Sequence, residues 1–214
     1  MFSKFTKGYK CESNKTFIKQ ECIIYVSKNA QKMGKKLPKI ITQEEFEKLF
    51  KAGLKYRNKF KGERKKRINR YMIAILLGFE AGMRISEIVG YKNKVPPLSK
   101  SQVEDASIRI VSGKGGKDRV VPRPKRFNEK AIKELPLKIG RRALQKFITK
   151  LGYEVLGRHI TFHTLRHGFG SHLAGMGRPL HEVQMLMGHS RLDTTGIYLH
   201  ANPKSALEGA RDVF

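Results

Sequence analysis

His163 and Arg166 lie three residues apart, and between them they could handle a phosphate. An imidazole can move a proton near neutral pH, and an arginine fork grips two phosphate oxygens at once. Three apart on a helix, such side chains project to one side. Taken alone, the pair is weak evidence, and the reading as part of a structural salt bridge would ordinarily win. His163 and His167 are four apart, as two zinc ligands on one helix face would be, but Thr164 stands where the zinc-protease pattern needs its general-base Glu. No Cys lies near, and the carboxylates of the region are Glu182, Asp193 and two close to the terminus. No metal and no cofactor is therefore expected. Gly113-Lys114-Gly115-Gly116-Lys117 has the look of a phosphate-cradling loop, yet a P-loop has a longer spacing, ends in Lys-Ser/Thr and opens a helix. A lysine on a hairpin tip could instead enter a groove, or simply be an exposed turn. Arg84, after Gly82, and Tyr198 carry no local meaning by themselves, and a tyrosine there would ordinarily be core packing.

The elements that must position these residues are legible in the periodicity. Leu37-Pro38 marks a boundary, because the residue before a proline avoids the helical region. Thr42 and Glu45 form a capping box, followed by Phe46, Leu49, Phe50 and Leu54 at helical spacing. A second helix carries Ile68, Tyr71, Met72, Ile75, Leu76 and Phe79 and ends near Gly82. Residues 107–111 and 118–122 are short β-like runs around the glycine-rich turn, a hairpin pattern. Another helix has Leu144, Phe147, Ile148 and Leu151 on one face. The His163 helix follows, with a break from Gly175 to Pro179. Leu180, Val183 and Met187 then return to helical spacing, and Gly188 suits the position just past that helix. A last helical turn holds Thr194, Thr195, Ile197 and Tyr198. The fold class expected is mainly α with a small antiparallel β-sheet (α+β).

The chain has 214 residues and a formal net charge of +27. Residues 1–70 hold 21 basic and 6 acidic residues, residues 71–158 hold 19 and 8, and residues 159–214 hold 5 and 4 with all seven histidines. So much positive charge repels itself unless a polyanion is the usual partner, and nucleic acid comes first; a solvated lysine-rich surface is the plainer alternative. Phosphate binding along the front and chemistry near the end is the pattern this distribution suggests. The longest apolar run, Met72 to Phe79, is too short for a membrane span, and the start lacks the apolar stretch of a signal peptide. Two cysteines make neither a disulfide framework nor a zinc site. A soluble cytoplasmic protein, associated with the nucleoid, is expected.

In joint order these residues resemble a known family. The segments GMRISEI (82–88), SGKGGKDRVVP (112–122), HTLRHGFGSHLAGMG (163–177), VQMLMGHS (183–190) and LDTTGIYLH (192–200) are similar to the tyrosine recombinases and phage-type integrases, most closely the Xer-like branch. The family's ordered catalytic set of Arg, Lys, His-x-x-Arg, His and Tyr matches Arg84, Lys114, His163, Arg166, His189 and Tyr198. The resemblance spans roughly residues 37–214 and implies a recombinase catalytic domain there, with residues 1–36 a basic arm or the remnant of a core-binding domain. The stretch from Arg84 to Lys114 is longer than in the Xer branch, and its Val95-Pro96-Pro97-Leu98 is expected to be a loop. The resemblance also implies site-specific cleavage and rejoining of double-stranded DNA through a 3′-phosphotyrosyl link, without metal or ATP, by a homo-tetramer on paired sites. A type IB topoisomerase, which reseals its own strand, and a non-catalytic DNA-binding factor are the competing readings.

Overall fold

A computed structural model of the chain describes residues 40–92, 94–111 and 118–188. The chain divides into two units, residues 1–37 and 38–214, and the description concerns the second.

Helix α1 (Gln43–Asn58) starts at the expected capping box: Glu45 N–H donates to Thr42 Oγ1 at 3.2 Å, and Thr42 N–H donates to Glu45 Oε2 at 3.1 Å. Its apolar stripe of Phe46, Leu49 and Phe50 is buried against α2 (Gly62–Glu80), where the Phe46 ring stacks on Phe79 at 4.0 Å. Between Ile68 and Phe79 every residue of α2 except Asn69 and Arg70 is buried. A helix apolar on all sides belongs at the centre of a domain, and α1, α5 and α6 pack around this one. Helix α3 (Ile85–Val89) is a single turn beyond it.

The stretch at residues 95–98 is, as expected, a loop without helix or strand, and it is anchored to its neighbours. Tyr91 N–H donates to Val95 O at 2.9 Å, Leu98 N–H donates to Ile88 O at 3.2 Å, and Leu98 is planted in the core. Strands β1 (Ser107–Ile110) and β2 (Arg119–Pro122) pair antiparallel with Ile108 opposite Val121 and Ile110 opposite Arg119. Each is one residue shorter than the expected run, since Val111 and Asp118 lie outside the ladder. Their connecting turn, residues 112–117, falls outside the described residues. Ile108, Ile110 and Val121 enter the core.

After the short α4 (Glu129–Ile132), α5 (Arg141–Leu156) buries Leu144, Ile148 and Leu151 and ends at Gly157. Helices α6 (Phe162–Gly175) and α7 (Leu180–Met187) share a smaller cluster of Phe169, Val183 and Met187. The expected turn of helix at 194–198 lies outside the described residues. Among the described residues no helix is long and apolar enough to cross a membrane.

Candidate active site

The end of α2 sets the position of Arg84. Ala81 and Met83 N–H groups both donate to Leu77 O, and Gly82 turns the chain between them at φ 59°. Only glycine takes that backbone region without strain, and a Cβ there would lie 2.3 Å from the Phe169 ring. Arg84 is thereby delivered to the N-terminus of α3. Glu87, three residues on, accepts from the Arg84 backbone N–H at 2.7 Å and from Arg84 Nη1 at 2.8 Å.

Helix α6 supplies the next two residues. Its N-terminus is closed by Thr161 and Thr164: Thr164 N–H donates to Thr161 Oγ1 at 3.1 Å, and Thr161 N–H donates to Thr164 Oγ1 at 3.3 Å. The threonine that departs from a zinc-protease pattern is thus a helix cap. Arg166 is 4% exposed and reaches out of α6 to two other elements, donating through Nη1 to Gly82 O and through Nη2 to Met187 O. It therefore joins the turn before Arg84 to the end of α7. Arg84, His163 and Arg166 line one open cleft of about 630 Å³, together with Ile85, Ser86, Gln145, Thr149, His159, Thr161 and Phe162.

His163 is exposed on the cleft wall, yet partial loss of water, then the positive charges of Arg166 and Arg84, lower its pKa below 6.5. Its ring meets His167 edge-on at 4.3 Å, and burial, then His163 and Arg166, take His167 down to about 4. Both imidazoles are accordingly neutral at pH 7. Two guanidiniums beside a neutral imidazole suit a phosphodiester: the cations grip non-bridging oxygens and the imidazole can take a proton.

Of the expected site residues, the structure brings Arg84, His163 and Arg166 together, while Lys114, His189 and Tyr198 lie outside the described residues. Sequence reasoning missed two others. Glu87 is 5% exposed; burial opposes its ionisation, but hydrogen bonds and charge from Arg119 and Arg84 win and hold its pKa at about 2. Arg119 donates to both of its oxygens, at 2.7 and 2.8 Å. Signals for both existed: Glu87 has capping-box spacing from Arg84, and Arg119, two residues before the inward Val121, falls on the same face of β2. Among the described residues, no three His, Cys, Asp or Glu side chains group to hold a metal ion.

Comparison with known proteins agrees with this architecture. The recombinase XerH bound to its palindromic difH substrate, in a post-cleavage complex, superposes with a TM-score of 0.62 at 26% identity, covering 84% of this chain and 54% of that one. The fold is that of a tyrosine recombinase catalytic domain. Residues 136–205 match the phage integrase family. The tyrosine recombinase XerC of Haemophilus influenzae strain PittEE is 32% identical over 194 residues, 81% of this chain and 60% of its own length. XerC of Pseudomonas fluorescens strain Pf0-1 is 32% identical over 142 residues, 58% of this chain and 46% of that protein. Over residues 136–205 this chain matches the phage integrase family, over most of its length it is similar to tyrosine recombinases, and it spans about half to three-fifths of the relatives' length.

Proposed function

We propose that the chain is a site-specific DNA recombinase that cleaves and rejoins double-stranded DNA through a 3′-phosphotyrosyl intermediate. One observation carries the reading: Arg84 and the His163–Arg166 pair, from two stretches of sequence some 80 residues apart, converge on a single cationic cleft. In this reading residues 37–214 are the catalytic domain and residues 1–36 a basic arm or the remnant of a core-binding domain.

The Tyr198 oxygen attacks the phosphorus of a DNA phosphodiester, and the bond from phosphorus to the 5′ oxygen breaks. A phenol of pKa ~10 is a poor nucleophile at neutral pH, so its proton must go to a base. His163 takes that proton on cleavage and returns it on resealing. Arg84 and Arg166 hold the non-bridging oxygens, where charge develops in the transition state, and His189 adds a hydrogen bond. Lys114 donates the proton that the departing 5′ oxygen requires. The phosphotyrosine conserves the energy of the phosphodiester, so a 5′ hydroxyl of a second duplex can replace the first without ATP. Two paired sites need four protomers, hence a homo-tetramer on DNA, in the cytoplasm at the nucleoid.

The test is a nicked duplex whose cleaved end diffuses away, trapping the intermediate. Wild-type chain should form a covalent protein–DNA band, and Tyr198→Phe should bind the duplex but form none. A band that persists in Tyr198→Phe would assign the nucleophile elsewhere.

A further inference from the structure

Arg119 is an arginine at an inward position of a strand. Side chains alternate faces along β2, so it shares the core side with Val121. Its side chain is only 7% exposed. Nη1 and Nη2 fork across both carboxylate oxygens of Glu87, and Nε donates to Leu186 O at 3.1 Å. Glu87 Oε1, on its other side, takes the 2.8 Å bond from Arg84 Nη1.

The end of α7 shows the same arrangement from another direction. The last carbonyls of a helix have no partner within it and carry partial negative charge. Here Leu186 O is bound by Arg119, Met187 O by Arg166, and Gly188 O by Arg84 Nη2 at 3.3 Å. Three guanidiniums from β2, α6 and the start of α3 thus hold three successive carbonyls. Gly188, at φ 58°, has room for none but glycine, since a Cβ would lie 2.8 Å from Arg119 Cδ.

We propose that Arg119 is a positioning residue of the cleavage site, acting on Arg84 through Glu87 and on Arg166 through the end of α7. The inference rests on the recombinase reading. Its physical content is a charge balance. With Arg119 in place, Glu87 has two cations, the Arg84–Glu87–Arg119 group carries one net positive charge, and Arg84 keeps a side chain 24% exposed at the cleft. With Arg119 removed, Arg84 is, among the described residues, the only cation bonded to the buried Glu87 carboxylate, the pair is neutral, and its pull on the scissile phosphate weakens. Arg119 itself does not line the cleft, so its loss leaves the surface that meets DNA unchanged.

The test uses the full chain on the trapping duplex, comparing Arg119→Ala, Arg119→Lys and Arg109→Ala, the last an exposed arginine of the neighbouring strand paired with Glu104. Single-turnover cleavage at saturating DNA and the Kd for DNA are both measured, with circular dichroism to follow folding. Arg119→Ala should cleave ~10²-fold more slowly, as misplaced catalytic groups do, with Kd within a few-fold of wild type. Arg119→Lys keeps the charge but cannot fork across two oxygens, so its rate should lie between the two; Arg109→Ala should cleave normally. If the alanine variant does not fold, the lysine variant decides: a reduced rate at unchanged Kd supports the proposal, and a wild-type rate overturns it. A folded Arg119→Ala that cleaves like wild type also overturns it, while leaving the recombinase reading intact. No covalent band from wild type would overturn that reading and this inference together.

Discussion

Protonation of His163 decides whether the cleft holds a base or a third cation. Desolvation and the charges of Arg166 and Arg84 disfavour the imidazolium, so the pKa in the folded chain lies below 6.5 and the ring is neutral at pH 7. Cleavage at sub-saturating DNA, which reports groups of the unbound protein, should then be level around neutrality and fall as pH drops through that lowered pKa. His163→Gln should lose ~10²–10⁴-fold in rate, the usual contribution of such a group, and lose the acid limb with it. A limb surviving in that variant would place the base elsewhere. Residue types and order were enough to single out Arg84, His163 and Arg166. Glu87 and Arg119 were not singled out, because a buried ion pair is defined by its partner, and these two are 32 positions apart on a helix and a strand. Until that contact exists, an arginine in DRVVP is one of many basic residues.

At the scale of elements, what matters is how tightly the turn after α2 is fixed to α6. Gly82 presents its carbonyl to Arg166 and its bare Cα to the Phe169 ring. Gly82→Ala would have to hold a left-handed conformation and push an aromatic ring aside. Left-handed strain of ~1–2 kcal/mol and overpacking of ~1–3 kcal/mol predict roughly 2–5 kcal/mol lost. In a unit of this size that lowers Tm by roughly 4–20 °C. Thermal unfolding followed by circular dichroism checks it, and an unchanged Tm would contradict the packing described. Elements were legible wherever an apolar period was long, as in α1, α2 and α5, or where a cap marked a start, as at Thr42. Short pieces were not: α3 and α4 have too few residues to show a period. The stretch around Leu98 is the loop expected, but the burial of Leu98 was not legible, because it depends on Ile88 and the rest of the core, not on its own pattern.

For the whole molecule, the proposed function implies that a net charge of +27 would make phosphate contact the first event, before any base is read. If ~6–10 phosphates are engaged, affinity for duplex DNA should fall ~10³–10⁵-fold between 50 and 200 mM salt. A titration of Kd against salt reads this directly, and a flat response would mean that the charge is a solvated surface with no polyanion partner. Binding alone, however, does not separate a recombinase from a passive DNA-binding protein. The central claim is that the cationic cleft of Arg84, His163 and Arg166 serves cleavage by Tyr198. Its most direct measurement is mass spectrometry of the trapped protein–DNA adduct after proteolysis and nuclease digestion. The account predicts one modified peptide, carrying a nucleotide joined through its 3′ phosphate to Tyr198. Attachment at any other residue, or through a 5′ phosphate, would contradict it.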